Sequence, residues 1–272
     1  MVRRGLVPSR ARARELVEAG RVRVGGAPAS KAARLVDAGE AVVVEGDPPR
    51  FVGRGGEKLA AALDGFGLDP SGRRLLDAGA STGGFTDCLL QAGAAGVVAL
   101  DVGHGQLHER LRADPRVEVH ERTNLRHVDP TALGPFAGVV ADLSFISLRT
   151  VMEVLVGCAE PGGWLVLLVK PQFEAGRAEV DRGRGVIRDP EVRADALRGV
   201  GRAAVRSGAS IMGVVVSPIR GADGNVEFLL HLRRGDAPGA LGPAAWEAEV
   251  LTVTGSSAGV AGAPPVEPEL AP

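Results

Sequence analysis

Between Gly55 and Arg234 the chain switches repeatedly between short apolar runs and apolar residues at helical spacing. The runs Arg74 to Asp77, Val97 to Asp101, Val117 to His120, Gly138 to Asp142, Trp164 to Lys170, Ile211 to Val216 and Val226 to His231 read as strands. Helical spacing falls between them, at Lys58 to Leu63, Thr86 to Gln91, Thr150 to Cys158 and Glu191 to Arg206. Such alternation favours an α/β fold with a mostly parallel sheet and crossover helices. Ahead of it, Ser9 to Gly20 sets Ala13, Leu16 and Val17 on a short helix that opens on a serine and closes on a glycine. Val22 and Val24 then alternate with Arg21 and Arg23, and Ala41 to Val44 make a second short strand before Asp47-Pro48-Pro49. Past Arg234, Gly, Ala and Pro dominate without periodicity, so residues 235–272 are expected to form a largely disordered tail. The expected division is an N-terminal module over 1–47, a linker over 48–54, an α/β domain over 55–234, and that tail.

Composition narrows the class. The chain has 272 residues, enough for one α/β domain with an appendage. No apolar run approaches the roughly 18 residues needed to span a bilayer, and the arginine-rich N-terminus leads into no apolar core. A cytoplasmic protein without a membrane partner is expected, and no obligate protein partner is evident. Cys88 and Cys158 are too few for a disulfide framework and lack the paired spacing of a zinc site; both are expected to be buried. The net charge of −1 conceals a gradient, since residues 1–34 carry +7 and residues 235–272 carry −5. A basic head on a mildly acidic body points to a polyanionic partner touched mainly by the head. Of 32 cationic residues, only Lys31, Lys58 and Lys170 are lysine, which draws attention to positions where a titratable amine is wanted.

The segment Leu75-Leu76-Asp77-Ala78-Gly79-Ala80-Ser81-Thr82-Gly83-Gly84-Phe85 passes from strand to helix through a glycine-rich turn. Such a turn lets backbone approach a nucleoside-type cofactor and offers free amides at the helix start. Asp101 closes the next strand, where a carboxylate can accept from both ribose hydroxyls. The loop lacks the Gly-x-Gly-x-x-Gly of a dinucleotide site, and Asp77 suits a cofactor with a charged amino-acid end. Gly79-Ala80-Ser81-Thr82-Gly83 also matches the nucleophile elbow of hydrolases, but the only late histidine, His231, falls inside a strand. A plain structural turn is the third reading.

In an open α/β sheet the chemistry gathers at the carboxyl ends of the strands. Asp142 and Lys170 each close a strand there. Lys58 lies on the helix before the first strand, and Glu227 opens a last, antiparallel strand, which begins where its parallel neighbours end. Two amines and two acids at one rim suit methyl transfer to an alcohol: the hydroxyl needs a base, and a lysine can serve where burial and a neighbouring cation lower its pKa from about 10.4, whereas arginine cannot. A structural ion-pair network is the competing reading. His104 and His108 are spaced for one helical face but lack a third ligand, so no metal site is expected. Phe173 could stack on a base, while Trp164, inside an apolar strand, belongs to the core.

Further stretches carry a resemblance: Arg4-Gly5-Leu6 with Ser9-Arg10, Ala19 to Val24, Arg54-Gly55-Gly56-Glu57-Lys58-Leu59, Leu76 to Thr86, Asp101-Val102-Gly103 with Gly105-Gln106-Leu107, Glu121-Arg122-Thr123-Asn124, Ala141 to Leu148, Leu168 to Glu174, and Gly224-Asn225-Val226-Glu227. Together they resemble the TlyA family, also called hemolysin A-like, from residue 3 to about 233. That family joins an S-four-type RNA-binding module to an FtsJ-like (RrmJ-like) methyltransferase domain. The resemblance implies a Rossmann-like sheet of seven strands with the last antiparallel, S-adenosylmethionine as cofactor, and a cytidine ribose 2′-hydroxyl of ribosomal RNA, free or in ribosomal subunits, as target. It implies a catalytic tetrad at Lys58, Asp142, Lys170 and Glu227. Cofactor contacts are expected at Asp77, Gly79, Ala80, Ser81, Thr82, Gly83, Gly84, Phe85, Asp101, Val102, Asn124 and Asp142, with Asn124 at the adenine. RNA contacts are expected at Arg3, Arg4, Ser9, Arg10, Arg14, Arg21, Arg23 and Lys31. The family's module opens with a helix that this chain barely has before Arg3, so the module is expected to be N-terminally short. Gly25 stands where the family has asparagine, and Phe51 and Val52 fall in the interdomain linker. The alternative is a ribosomal-RNA-binding assembly factor with a vestigial methyltransferase fold; the pore-forming activity that the hemolysin label suggests finds no apolar span or anchored amphipathic helix.

Overall fold

A computed structural model describes residues 1–256 apart from 5, 8, 9, 47, 48 and 222, and describes backbone alone at 11, 12, 177 and 178. The chain divides into two compact units, Met1–Gly53 and Arg54 onward. In the first, helix α1 (Arg10–Glu18) precedes a three-stranded antiparallel sheet of β1 (Val22–Val24), β2 (Ala27–Pro28) and β3 (Val42–Val44), in the order β2-β1-β3. The alternation of Val22 and Val24 with Arg23 buries the valines and exposes the arginine. They pack with Val7, Leu16, Val17 and Ala29 into a small core. Ser9, the expected helix start, lies outside the described residues, as do Asp47 and Pro48.

The second unit opens with helix α2 (Gly55–Phe66), which ends on Gly67 in the left-handed conformation at φ +61°. Strand β4 (Arg74–Ala78) leads into α3 (Gly84–Gln91), β5 (Gly96–Leu100) into α4 (Glu109–Arg112), and β6 (Val117–His120) into α5 (Pro130–Leu133). Then come β7 (Phe136–Ala141), α6 (Leu148–Cys158), β8 (Ala159–Val169), α7 (Pro171–Glu174), α8 (Arg177–Arg182) and α9 (Pro190–Arg206). Strands β9 (Ala209–Val216) and β10 (Phe228–Arg234) and helix α10 (Pro243–Thr254) complete the unit.

The seven strands stand in the order β6-β5-β4-β7-β8-β10-β9. The first five are mutually parallel, and β10, last in the chain, runs antiparallel to both neighbours. All seven strands read from the apolar runs are present. Central strands are apolar on consecutive residues because helices cover both faces; in β8, Leu165 to Val169 are all buried. Trp164 joins this core: Gly138 sits opposite it in the ladder, and a Cβ there would come within 2.3 Å of the indole. Cys88 and Cys158 are both buried.

The expected tail is corrected in part. Pro243–Thr254 is a helix whose Trp246 and Val250 enter the main core. Gly201 of α9 makes room for it, since a Cβ there would meet the Trp246 indole at 2.9 Å. The helix escapes pattern reading because only Trp246, Val250 and Thr254 are buried, in a short stretch whose alanines all face outward. Residues 257–272 lie outside the described residues.

Candidate functional site

Sheet order reverses between β4 and β7, and a crevice opens beyond the carboxyl ends of β4, β5 and β7. The glycine turn forms its floor. Gly79 adopts φ +85°, and a Cβ there would lie 2.7 Å from the Asp142 carbonyl oxygen, so only glycine lets the turn pass the end of β7. Gly83 has φ +97° and is pressed by Leu107 and Leu111. Asp101 braces the turn from the next strand, accepting from the Ser81 amide at 2.8 Å and the Gly103 amide at 2.6 Å.

The resulting cavity, about 610 Å³, is lined by Gly79, Ser81, Asp101, Val102, Asn124 and Asp142 among others. A volume within about 300–1,000 Å³ suits a nucleoside-sized ligand. Here S-adenosylmethionine fits the residues present: small turn residues, the Asp101 carboxylate, which could accept from ribose hydroxyls, and the Asn124 amide. Asn124 Oδ1 is already engaged by the Arg126 amide at 3.0 Å, so its NH₂ group is the part able to donate at the cavity wall. Ala80, Thr82, Gly84 and Phe85 line a second, smaller cavity of about 170 Å³ instead. The two cavities share Gly79, Ser81, Asp142 and Ser144 as lining.

Asp77 lines neither cavity. It is fully buried below the turn, accepting from the Thr86 hydroxyl at 2.6 Å, while Oδ1 has no hydrogen-bond partner among the described residues. Burial pushes its carboxyl up to about 7, with the Thr86 hydroxyl opposing and Asp142 and Asp101 adding to the rise. Its geometry is that of a group supporting the turn from beneath.

The four charged residues form two pairs. Lys58 Nζ lies 2.5 Å from Glu227 Oε2, both side chains nearly sealed. Lys170 Nζ lies 2.6 Å from Asp142 Oδ1 and donates to the Ser144 hydroxyl at 3.1 Å. The pairs adjoin through the start of α2, where a Cβ on Gly55 would stand 3.7 Å from Asp142 Oδ2, one helical turn before Lys58. Lys170 faces the smaller cavity. As a neutral amine Lys170 has two N–H bonds, which Asp142 and Ser144 can take, and one lone pair left to accept from a hydroxyl at the junction of the cavities. Ser144 carries no distinguishing spacing in the sequence and was not singled out there. Gln106, which stands in the stretch Gly105-Gln106-Leu107 without a role assigned to it, accepts from the Ser81 hydroxyl at 3.3 Å.

Phe145 is 92% exposed at the mouth of the larger cavity, and its ring stands 5.4 Å from that of Phe173. The hydrolase reading fails. His231 is buried in β10 with its ring 5.0 Å from Phe66, and burial lowers its pKa to about 4. His104 pairs with Glu121 at 2.7 Å and His108 caps α4, so each has a local role.

In the N-terminal unit the expected RNA contacts separate into two groups. Arg4 donates to the carbonyls of Glu40, Asp37 and Ala38, at 2.6, 2.6 and 3.1 Å. Arg21 donates to the Glu45 carbonyl at 2.8 Å, and Arg23 pairs with the Glu45 carboxylate. These three tie the unit together. Arg3, Arg10, Arg14 and Lys31 are exposed. Ser9 lies outside the described residues.

Comparison with known proteins agrees with this geometry. The profile of the FtsJ-like methyltransferase family matches residues 51–234, and that of the S4 domain matches residues 1–42. The chain is 53% identical to the Mycobacterium tuberculosis 16S/23S rRNA (cytidine-2'-O)-methyltransferase TlyA, over 86% of this chain and 87% of that protein. It is 39% identical to hemolysin A of Brachyspira hyodysenteriae, over 84% of this chain and 95% of that one. A solved structure described as a candidate hemolysin from Streptococcus thermophilus superposes with a TM-score of 0.76 at 39% identity, covering 92% of each chain.

Proposed function

Because the chain belongs to the FtsJ-like methyltransferase family, in its TlyA branch, we propose that it transfers a methyl group from S-adenosylmethionine to the 2′-hydroxyl of a cytidine ribose in ribosomal RNA. The observation that carries this reading is the Lys170–Asp142 pair, 2.6 Å apart, at the junction of the two cavities.

When bound, the cofactor supplies an electrophilic methyl on a sulfonium. The chain's own residues do the rest. Gly79 and Ser81 cradle the cofactor, Asp101 meets its ribose, and Asn124 faces its base. The target ribose enters the smaller cavity, where Lys170 Nζ, as the neutral amine, takes the proton from the 2′-hydroxyl, becomes an ammonium paired with Asp142, and so raises the oxygen's nucleophilicity. Asp142 and Ser144 hold that amine on line, and the Lys58–Glu227 pair supports it from α2. Positioning accounts for much of the acceleration, since an aligned attack at contact distance is worth about 7 kcal/mol or more. Phe145 and Phe173 offer a stacking surface to the base, and Arg3, Arg10, Arg14 and Lys31 engage phosphates of the RNA. Arg4, Arg21 and Arg23 act chiefly by shaping the module that presents them.

The test is incorporation of labelled methyl into ribosomal RNA, mapped by primer extension at low nucleotide concentration. Lys170→Ala and Lys170→Arg are both expected to lose activity by at least about a thousandfold while binding cofactor normally, because arginine keeps the charge but cannot accept the proton. Turnover by Lys170→Arg would remove the base assignment. A parent protein that binds the RNA without incorporating label would revive the assembly-factor reading.

A further inference from the structure

Two loops carry the Lys170–Asp142 pair, and one buried side chain ties them together. The first loop leaves β7 at Asp142 and ends at Ser147, the N-cap of α6. The second leaves β8 at Lys170 and winds through the single-turn helix α7 to end at Glu174. Glu174 Oε1 accepts from the Leu148 amide at 2.6 Å, and Oε2 accepts from the Ser147 hydroxyl at 2.5 Å and from Arg149 Nε at 3.1 Å. Arg149 reaches back to the Glu174 carbonyl at 2.7 Å. The carboxylate is buried, which pushes its pKa up, and these donors pull it back down.

Helix α6 does not need this acid for its cap. Ser147 already accepts from the Arg149 amide at 3.2 Å, as an N-cap serine should. A carboxylate brought from the neighbouring loop and sealed there instead fixes the spacing between the loops. Between the fixed ends lie the contacts that matter: Lys170 to Asp142, Lys170 to Ser144, and Phe145 to Phe173. Glu174 lines neither cavity of the site, so it does not touch substrate or cofactor there.

We propose that Glu174, with Arg149 as its counter-ion, is a positioning residue for the Lys170–Asp142 pair. It clamps the two loops so that the amine stays aligned between Asp142 and Ser144 through the chemical step. This rests on the assignment of Lys170 as base.

Steady-state methylation of ribosomal RNA by the full chain tests it, with Glu174→Gln, Glu174→Ala, Arg149→Ala and the Glu174→Gln/Arg149→Ala double variant. Cofactor Kd by calorimetry and Tm are measured alongside. Misplacement of a catalytic group by about 1 Å can cost a hundredfold. Glu174→Gln is therefore expected to lower kcat about tenfold and Glu174→Ala about a hundredfold, with cofactor Kd and RNA KM within about threefold of the parent. The double variant is expected to be no worse than the poorer single one, because the two residues act as a unit. Should Glu174→Ala fail to fold, Glu174→Gln decides the matter, since the amide keeps the shape and the acceptor for Leu148. A kcat within twofold of the parent in folded Glu174→Gln would overturn the clamp, as would a loss of cofactor affinity in step with kcat. Lys170→Ala separates the two failures: if it is inactive while the Glu174 variants turn over normally, the clamp alone is wrong, and if it retains turnover, the base assignment is.

Discussion

Arg3, Arg10, Arg14 and Lys31 stand exposed on the N-terminal unit, whereas Lys58 and Lys170 are nearly sealed at the rim of the sheet, each against one acid. The same sign of charge is put to opposite uses. Exposed cations act through a screened field, so they are individually weak, nearly additive and sensitive to salt. Sealed lysines act through geometry, and each depends on a single partner in a place where water cannot substitute. The composition follows the same division: all but three of the cationic residues are arginine, and two of the three lysines lie at the rim.

The sharpest way to break this contrast is to unpair the sealed lysine that is not the proposed base. Glu227→Gln or Lys58→Ala leaves a buried charge uncompensated, an expected loss of about 3–5 kcal/mol in denaturant unfolding with methylation reduced at least about a hundredfold. A Lys58→Met/Glu227→Met double variant is expected to regain much of the stability and none of the activity. Single variants that unfold at the parent's midpoint would show that the pair behaves like a surface ion pair after all.

The exposed side of the contrast predicts smaller, graded effects. Arg10→Ala and Arg14→Ala are each expected to weaken RNA binding a few-fold and to reduce the slope of log K against log salt by about 0.7–0.9, with the effects adding. Arg4→Ala is expected to behave differently, lowering the stability of the N-terminal unit by about 1 kcal/mol through its lost carbonyl contacts. Filter binding over a salt series and thermal melts separate the two; equal salt slopes for all three variants would erase the distinction.

The smallest effect is a pH slope from two buried groups. Asp77, raised to about 7, contributes stability that is full below its unfolded value of about 3.8 and lost as pH rises through 7. His231, lowered to about 4, contributes stability that is full above about 6.5 and lost as pH falls toward 4. The two oppose each other between about pH 4 and 6.5. Asp77→Asn removes the falling contribution, so its stability is expected to climb more steeply with pH across that window than the parent's. Parallel curves from denaturation at several pH values would count against the assigned burial of Asp77.

Much of the architecture was legible because parallel strands buried on both faces are apolar without interruption, as Leu165 to Val169 show. The glycine turn was legible because Gly79 occupies a space where any Cβ strikes the Asp142 backbone. The tetrad residues stood out as rare lysines and strand-end acids. Helix α10 stayed hidden because Trp246 and Val250 anchor it within an alanine-rich run. The structural use of Arg4, Arg21 and Arg23 stayed hidden because an arginine that binds a backbone carbonyl reads the same in sequence as one that awaits a phosphate. Glu174 was invisible as a clamp, since its partners Ser147 to Arg149 stand at the start of α6, 25 to 27 positions earlier in the chain.

Local patterning by itself determined the strand and helix periods, the glycines at the turn and the chemical kinds of group at the strand ends, because those depend on near neighbours and on burial of a face. Only the tertiary structure decided which charge meets which. Lys58 finds Glu227 across 169 positions of chain, and that match exists because β10 inserts antiparallel between β8 and β9, which sets Glu227, the residue just before it, at the rim. A contact set by strand order leaves no periodic trace along the chain.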